Sequence, residues 1–376
     1  MLAPEEEALD VFGNSVSISG DTIIVGSFGD DEGESSSGSA YVYVRDGAEW
    51  SLQANLTASD PVENDYFGYS VSVSGDTAVI GAVGNDDNGT ESGSAYVFYR
   101  DDDEWLQEAT LTASDAAEGD RFGFSVSVSG DTVIVGAYRK SDGGDFSGAA
   151  YIFVRDEDGW SQEAKLTASD PASEHFFGYS VSVSGDTAIV GAVGDGHVGE
   201  KSGAAYVFSK DGDGWSQEAK LIASDPASDH LFGYSVSVVG DTALVGAPGD
   251  GHGGENSGSA YFFYKDGDGW SQQAKLTAPE AAADDLFGNS VSVSGDTAII
   301  GAHSSSDDGQ YSGSAYVFAR DVDEWSQQAK LTASDATAGD LFGYSVSVSG
   351  DTVIVGAYQD DGAYINSGSA YIFSCV

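Results

Sequence analysis

The Phe-Gly pair recurs at Phe12, Phe67, Phe122, Phe177, Phe232, Phe287 and Phe342, and every interval is 55 residues. No insertion or deletion interrupts the series. A long, strict period means that one supersecondary unit is stacked on copies of itself, which limits the chain to a solenoid, a propeller or a similar array. Residues 177–192, FGYSVSVSGDTAIVGA, represent the unit.

Each unit resolves into four strand patterns separated by turn signals. In the fourth unit, Tyr179, Val181 and Val183 alternate with Ser180, Ser182 and Ser184. Gly185-Asp186 then forms a two-residue hairpin turn, where glycine supplies the positive φ. The second pattern, TAIVGA, is apolar on both faces. A loop of about ten residues rich in Gly, Asp and Ser leads to the third pattern, GAAYVF. The turn KDGDG leads to Trp215 and a fourth pattern in which Ala219, Leu221 and Ala223 alternate with Glu218, Lys220 and Ile222.

Four antiparallel strands repeated seven times predict an all-β, seven-bladed β-propeller occupying residues 1–376 as one domain. Residue size fits: small Ser, Val and Gly stand in the first strand, nearest the crowded axis. Tyr206, Phe208 and Trp215 stand further out, where blades splay. A β-solenoid is the competing architecture, but its coils are usually much shorter than 55 residues. The seventh unit stops at Phe373-Ser374-Cys375-Val376, before a fourth strand. Met1-Leu2-Ala3 aligns with Leu276-Thr277-Ala278, so the last blade is expected to have three full strands and at most a stub of a fourth. An exposed edge near Tyr371–Phe373 follows, and edges invite pairing, either with a partner strand or with another copy of the chain.

The motif LTASDxxxxDxFGYSVSVSGDTAIVGA followed by SGSAYVF resembles the FG-GAP repeat in its bacterial and archaeal form, as in integrin-α-like propellers. The resemblance spans roughly residues 2–373. It implies a propeller at the cell surface or secreted, working in adhesion or protein interaction. Integrin-type repeats often bind calcium in a DxDxDG-type loop between the first two strands. Here that connection is only Ser-Gly-Asp-Thr, as at Ser184–Thr187. Two turn residues cannot supply the six to eight oxygens that calcium takes, so the family's calcium loops are not expected in any unit. No cofactor is required by this reading.

Charge narrows the partners. The chain has 62 acidic and 14 basic residues and a formal charge of -48. Hydrophobic residues make up 40% and are patterned, which argues against disorder. A dense carboxylate surface suits a saline habitat, where salt screens self-repulsion; an acidic protein of an ordinary habitat is the alternative. The sign disfavours nucleic acid and anionic membranes as direct partners. No run of 18 apolar residues and no signal peptide is visible, so membrane insertion is not expected. The partners expected are a protein or glycan at the cell surface, and the location extracellular. The single cysteine, Cys375, allows no intrachain disulfide and reads as an incidental residue.

Function is best sought where the units differ. Arg45, Arg100, Arg155, Lys210, Lys265 and Arg320 share one repeat position, and Lys165, Lys220, Lys275 and Lys330 share another. These read as structural partners of neighbouring carboxylates, and no basic patch is visible. The turn acids Asp211 and Asp213 read as a solvated turn. His175 and His230 precede Phe-Gly by two residues, and His197 and His252 lie in the following loops, near Asp195 and Asp250. Imidazole with carboxylate suits a transition metal; the alternative is surface histidines shared by recently duplicated units. Phe28, Tyr138, Phe146, Tyr311, Tyr358 and Tyr364 break the repeat in loops and are candidate ligand contacts, or else packing beneath the loops. Asn55 and Asn88 head glycosylation sequons, meaningful on an exported chain. No nucleophile–base pair stands out from the repeated background. That favours a non-enzymatic binding protein over a structural subunit assembling through blade seven, and over a metal-dependent enzyme acting on polysaccharide.

Overall fold

Alternating first strands and continuously apolar second and third strands build seven separate antiparallel sheets in chain order. Six have four strands and the seventh has three. The structure is a computed structural model. It describes residues 1–376 except 2, 4–6, 32, 33, 323, 363, 375 and 376, so Cys375 lies outside the described residues. Blade one comprises Val16–Ser19, Thr22–Ser27, Ser39–Asp46 and Glu49–Leu56. Blade four comprises Phe177–Ser184, Thr187–Ala192, Ala204–Asp211 and Gly214–Leu221. Blade seven has Ser345–Ser349, Thr352–Ala357 and Ser369–Ser374.

The cores lie between blades, because each sheet must cover both apolar faces with its neighbours. Ile134 and Ile152 of blade three, for example, pack with Phe177, Val181 and Tyr206 of blade four. The first hairpin is as tight as the sequence requires: Ser184 pairs with Thr187 across Gly185-Asp186. The outer strand starts and ends earlier than the fourth sequence pattern, which follows Trp215 and runs to Ala223. It begins at Gly214 and ends at Leu221. Its pairing runs on through a bulge opposite Val207 and Phe208 to Lys210 and Asp211, so Trp215 lies within the strand, opposite Lys210. Leu221 and Ala223 are buried while Ile222 is exposed, as their alternation implies.

Two contacts join each blade to the next. The first is glycine against backbone. A Cβ on Gly191 would lie 2.0 Å from the carbonyl oxygen of Gly233 and 2.3 Å from Ser180 Oγ, so no side chain fits. Gly356 meets Gly13 in the same way and closes the ring. The second is a belt of serines. Ser127 Oγ accepts from the Val183 amide (3.1 Å) and Ser129 Oγ from the Gly185 amide (3.1 Å). At the seam, Ser347 Oγ accepts from Ile18 and Ser349 Oγ from Gly20. These bonds satisfy the free amides on the inner edge of each sheet, where no further strand can pair.

In blade seven the Met1 amine donates to the Ala370 carbonyl (2.5 Å) and the Ala370 amide donates to the Met1 carbonyl (3.0 Å). Met1 thus takes the place that Leu221 holds opposite Ala205 in blade four. Tyr371, Ile372 and Phe373 are only half-buried, whereas Tyr206, Val207 and Phe208 are buried. The strand Ser369–Ser374 is therefore a sheet edge among the described residues, as expected.

Gly191→Ala should destabilise the fold by about 1–3 kcal/mol or more, because the clash is with rigid backbone. Gly185→Ala, with φ +55 and open space around it, should cost about 1–2 kcal/mol from conformation alone. Thermal unfolding of both variants measures the difference; equal losses would contradict the close inter-blade approach.

Candidate functional site

The loops before Phe-Gly and those between the second and third strands meet on one face. Two left-handed residues build each junction. Phe146 (φ 55) and Lys201 (φ 50) hold one position in successive blades; Phe176 (φ 54) and Leu231 (φ 56) hold the other. Their backbones join across the blade boundary: the Phe176 amide donates to the Phe146 carbonyl, and the Leu231 amide to the Lys201 carbonyl, each at 3.1 Å. A non-glycine residue in this conformation is uncommon. Here its side chain is turned to the loop face, where the Phe146 and Phe176 rings stack with centroids 6.3 Å apart.

Towards the axis, the residue after Phe-Gly supplies a ring of side chains: Asn14, Tyr69, Phe124, Tyr179, Tyr234, Asn289 and Tyr344. Successive rings touch, with centroids 5.2 Å apart for Tyr69–Phe124, 5.0 Å for Phe124–Tyr179 and 5.1 Å for Tyr179–Tyr234. Burial raises the Tyr69 phenol to about 12, so this phenol is uncharged at neutral pH. Burial also lowers His303, beside Tyr344, to about 4.

A pocket of about 590 Å³ opens between blades three and four. Its origin is a change in residue size at two adjacent repeat positions. Blade three carries Tyr138 and Arg139 where blade four carries Val193 and Gly194. Gly194 cannot be replaced freely: a Cβ there would lie 1.7 Å from the Glu174 carbonyl oxygen. The pocket is walled by Tyr138, Phe146, Phe176, Tyr179 and Tyr234, with Arg139, Glu174 and Lys201 at its polar positions. Its size falls within the range of ligand sites, as does the pattern of apolar walls with a few polar groups. A second pocket, about 330 Å³, shares Tyr138 and Arg139 and continues past Phe28, Tyr66, Tyr69, Arg121 and Phe124.

The cations single out this groove. All ten repeat-position lysines and arginines (Arg45, Arg100, Arg155, Lys210, Lys265, Arg320, Lys165, Lys220, Lys275 and Lys330) make ion pairs, as expected. The four others, Arg121, Arg139, Lys140 and Lys201, all belong to loops of blades two to four. Arg121 pairs with Glu91, and buried Lys140 pairs with Asp120 at 2.9 Å. Arg139 and Lys201 make no ion pair among the described residues. The Arg139 guanidinium lies over the Tyr138 and Phe146 rings, 5.4 and 5.8 Å from their centroids. Sequence reasoning missed this pair, because residues 62 positions apart form no patch in the chain. The signal available was that neither falls on a repeated basic position.

The candidate aromatics divide. Tyr138 and Phe146 line the large pocket and Phe28 the smaller one. Tyr358, at the repeat position of Tyr138, packs on Tyr344 of the axial ring at 4.4 Å and does not line the large pocket. Tyr311 and Tyr364 are exposed on blades six and seven, away from the groove. Asn55 and Asn88 are exposed.

The six candidate metal ligands do not assemble. His175 Nδ1 stands 3.8 Å from Asp195 Oδ2, and His230 Nδ1 3.9 Å from Asp250 Oδ2. Each carboxylate is already engaged. Asp195 Oδ2 accepts from Lys220 Nζ and Tyr206 Oη, both at 2.7 Å. Burial alone would raise Asp195, but these bonds and the His197 amide outweigh it and hold the carboxyl below its usual range. Asp250 is bound likewise by Lys275 and Tyr261. His197 and His252 are exposed. Among the described residues, no three His, Cys, Asp or Glu side chains converge to hold a metal. The correction has a physical reason: the lysine at the outer-strand repeat position neutralises the acid that a metal would need.

Asp65 stands in blade two where blade four has His175, and there burial dominates. Asp65 is raised to about 6, although the Val62 amide donates to it. A raised carboxyl binds its proton more tightly folded than unfolded, so the stability it confers is present below about pH 4 and lost as pH rises through about 6. Asp65→Asn should therefore gain stability relative to the parent between pH 4 and 7, read by thermal unfolding across that range. An unchanged difference would contradict the buried-acid assignment.

A family model described as FG-GAP repeat matches residues 1–43, 50–98, 105–153, 160–208, 215–263, 270–318 and 325–373. No curated protein matches the chain. Among solved structures, the chain is similar to one from the crystal structure of a mitotic checkpoint complex, at 12% identity and a TM-score of 0.57. That match covers 100% of this chain and 92% of the other. It is also similar to a putative 6-phosphogluconolactonase from Bacteroides uniformis, at 11% identity and a TM-score of 0.57, over 85% of each chain. At these identities the likeness shows the fold alone.

Proposed function

This chain belongs to the FG-GAP repeat family, and from that membership together with the groove we propose that it is a non-enzymatic binding propeller. It works outside the cell, at the surface or secreted, in a saline medium that screens its charge of -48. The observation that carries this reading is the pocket between blades three and four, where aromatic walls and two cations with no ion pair among the described residues depart together from the repeat. Rigid aromatic anchors on a fixed scaffold suit binding, because little side-chain freedom is lost on contact. The chemistry of the groove favours binding over catalysis: Glu174 is the one carboxylate lining the larger pocket, and no nucleophile–base pair accompanies it.

The test is a surface array of glycans and proteins probed with the whole protein. Phe146→Ala and Phe176→Ala should weaken binding by tenfold or more with thermal stability nearly unchanged, because Phe146 is exposed and Phe176 half-buried. Tyr311→Ala, at the position equivalent to Phe146 in blade six, should leave it unchanged. Binding lost in Tyr311→Ala and kept in the groove variants would move the site elsewhere.

A second reading is favoured by the half-buried edge at Tyr371–Phe373. A strand from another copy would pair along Ser369–Ser374 and give chains of propellers. A Glu-Trp-Ser-Gln-Gln-Ala-Lys segment placed before Met1 would fill that edge. Sedimentation should then show assembly lost; assembly unaffected by the segment would exclude this route.

A further inference from the structure

We propose that the groove binds an acidic glycan, with the carboxylate of a uronate or sialate residue paired to Arg139 and Lys201 and the sugar ring faces on the aromatic wall. This inference rests on the groove being the ligand site proposed above.

The argument begins with scarcity. The chain has 62 acidic residues against 14 basic ones, so a site for a cationic or neutral ligand could be built from the abundant groups alone. Instead the two cations that make no ion pair among the described residues line the same pocket. In such an acidic chain, a lysine and an arginine with no ion pair among the described residues leave local positive charge that a ligand anion can pair with. Guanidinium is the group best shaped for a carboxylate, since its planar edge offers two parallel donors. Arg139 is also restrained by two aromatic rings, which reduces what it loses on pairing.

The walls specify the rest of the ligand. Tyr138, Phe146, Phe176, Tyr179 and Tyr234 offer flat apolar faces, which match the C–H face of a pyranose. Glu174 would repel the ligand's carboxylate at close range, but it can accept from sugar hydroxyls, and the tyrosine hydroxyls can donate or accept. The second pocket, sharing Tyr138 and Arg139, makes the site a double one. Two adjoining subsites with a shared arginine suit consecutive residues of a saccharide chain. An extended peptide is less suited, because strand addition needs an open sheet edge, and these pockets are lined by loops and the inner ends of blades. A nucleic acid needs phosphate neutralisation along its length, which the surrounding acidic surface opposes.

The experiment uses an array in which each uronate- or sialate-bearing glycan is paired with its carboxyl-reduced, neutral counterpart. The intact protein is applied in saline buffer. Binding should be at least tenfold stronger to the charged member of a pair. Lys201→Glu and Arg139→Ala should abolish that preference with unchanged melting temperature, while Lys201→Arg should keep it. Equal binding to both members, or a preference that survives both charge changes, overturns the acidic assignment and leaves a neutral-glycan site standing. Binding confined to proteins and still lost in Phe146→Ala overturns the glycan class while the groove remains the site. Binding indifferent to every groove variant overturns the groove reading itself.

Discussion

The structure depends on the close approach of backbone to backbone between neighbouring blades. Gly191 meets the carbonyl of Gly233, and the equivalent contact recurs around the ring to Gly356 and Gly13. No side chain can be accommodated there, which is why the glycines of Phe-Gly and Gly-Ala recur in every unit. The approach brings each inner strand close enough for a serine hydroxyl to accept from the next strand's amide. It also places the phenylalanine of each pair at zero exposure, against two aromatic rings of its own blade, as Phe177 lies between Tyr206 and Phe208. A 55-residue period without a gap follows from this: an inserted residue within a strand would break the register of glycine, serine and aromatic contacts together.

A scaffold fixed so tightly leaves variation to the loop face, and there the substitutions are coordinated. Blade three has Asp120 opposite Lys140 at 2.9 Å. Blade four has His175 near Asp195, with Lys220 reaching the same carboxylate. The carboxylate and its neighbour exchange positions between adjacent blades, and the groove opens at that boundary. On its blade-three side stand Tyr138, Arg139 and Phe146; on its blade-four side stand Val193, Gly194 and Lys201. The same scaffold thus gives a wall on one side and a floor on the other, from a few residue changes and no change of backbone plan.

Much of the fold could be read from the chain, because strand alternation, hairpin glycines and residue size by layer are local features repeated seven times. The outer strand begins before Trp215, ahead of the alternating pattern, because Lys210 and Asp211 pair with Trp215 and Gly214 close to the turn, and that pairing leaves no mark in periodicity. The site was legible only in part. Tyr138 and Phe146 stood out as departures from the repeat. Arg139 and Lys201 did not, because their importance lies in the partners they lack, a property of the folded molecule. The metal reading failed for the converse reason. His175, Asp195 and His197 sit in suggestive proximity along the chain, but Lys220, from the outer strand, already holds the carboxylate.

Hydrogen exchange of the intact protein with and without a uronate- or sialate-bearing glycan tests the central claim most directly. The account predicts slowed exchange confined to segments 138–147, 174–179 and 193–202, on the loop face of blades three and four. Protection centred on the Gly-Asp hairpins of the opposite face, or on blades six and seven around Tyr311 and Tyr364, would contradict it.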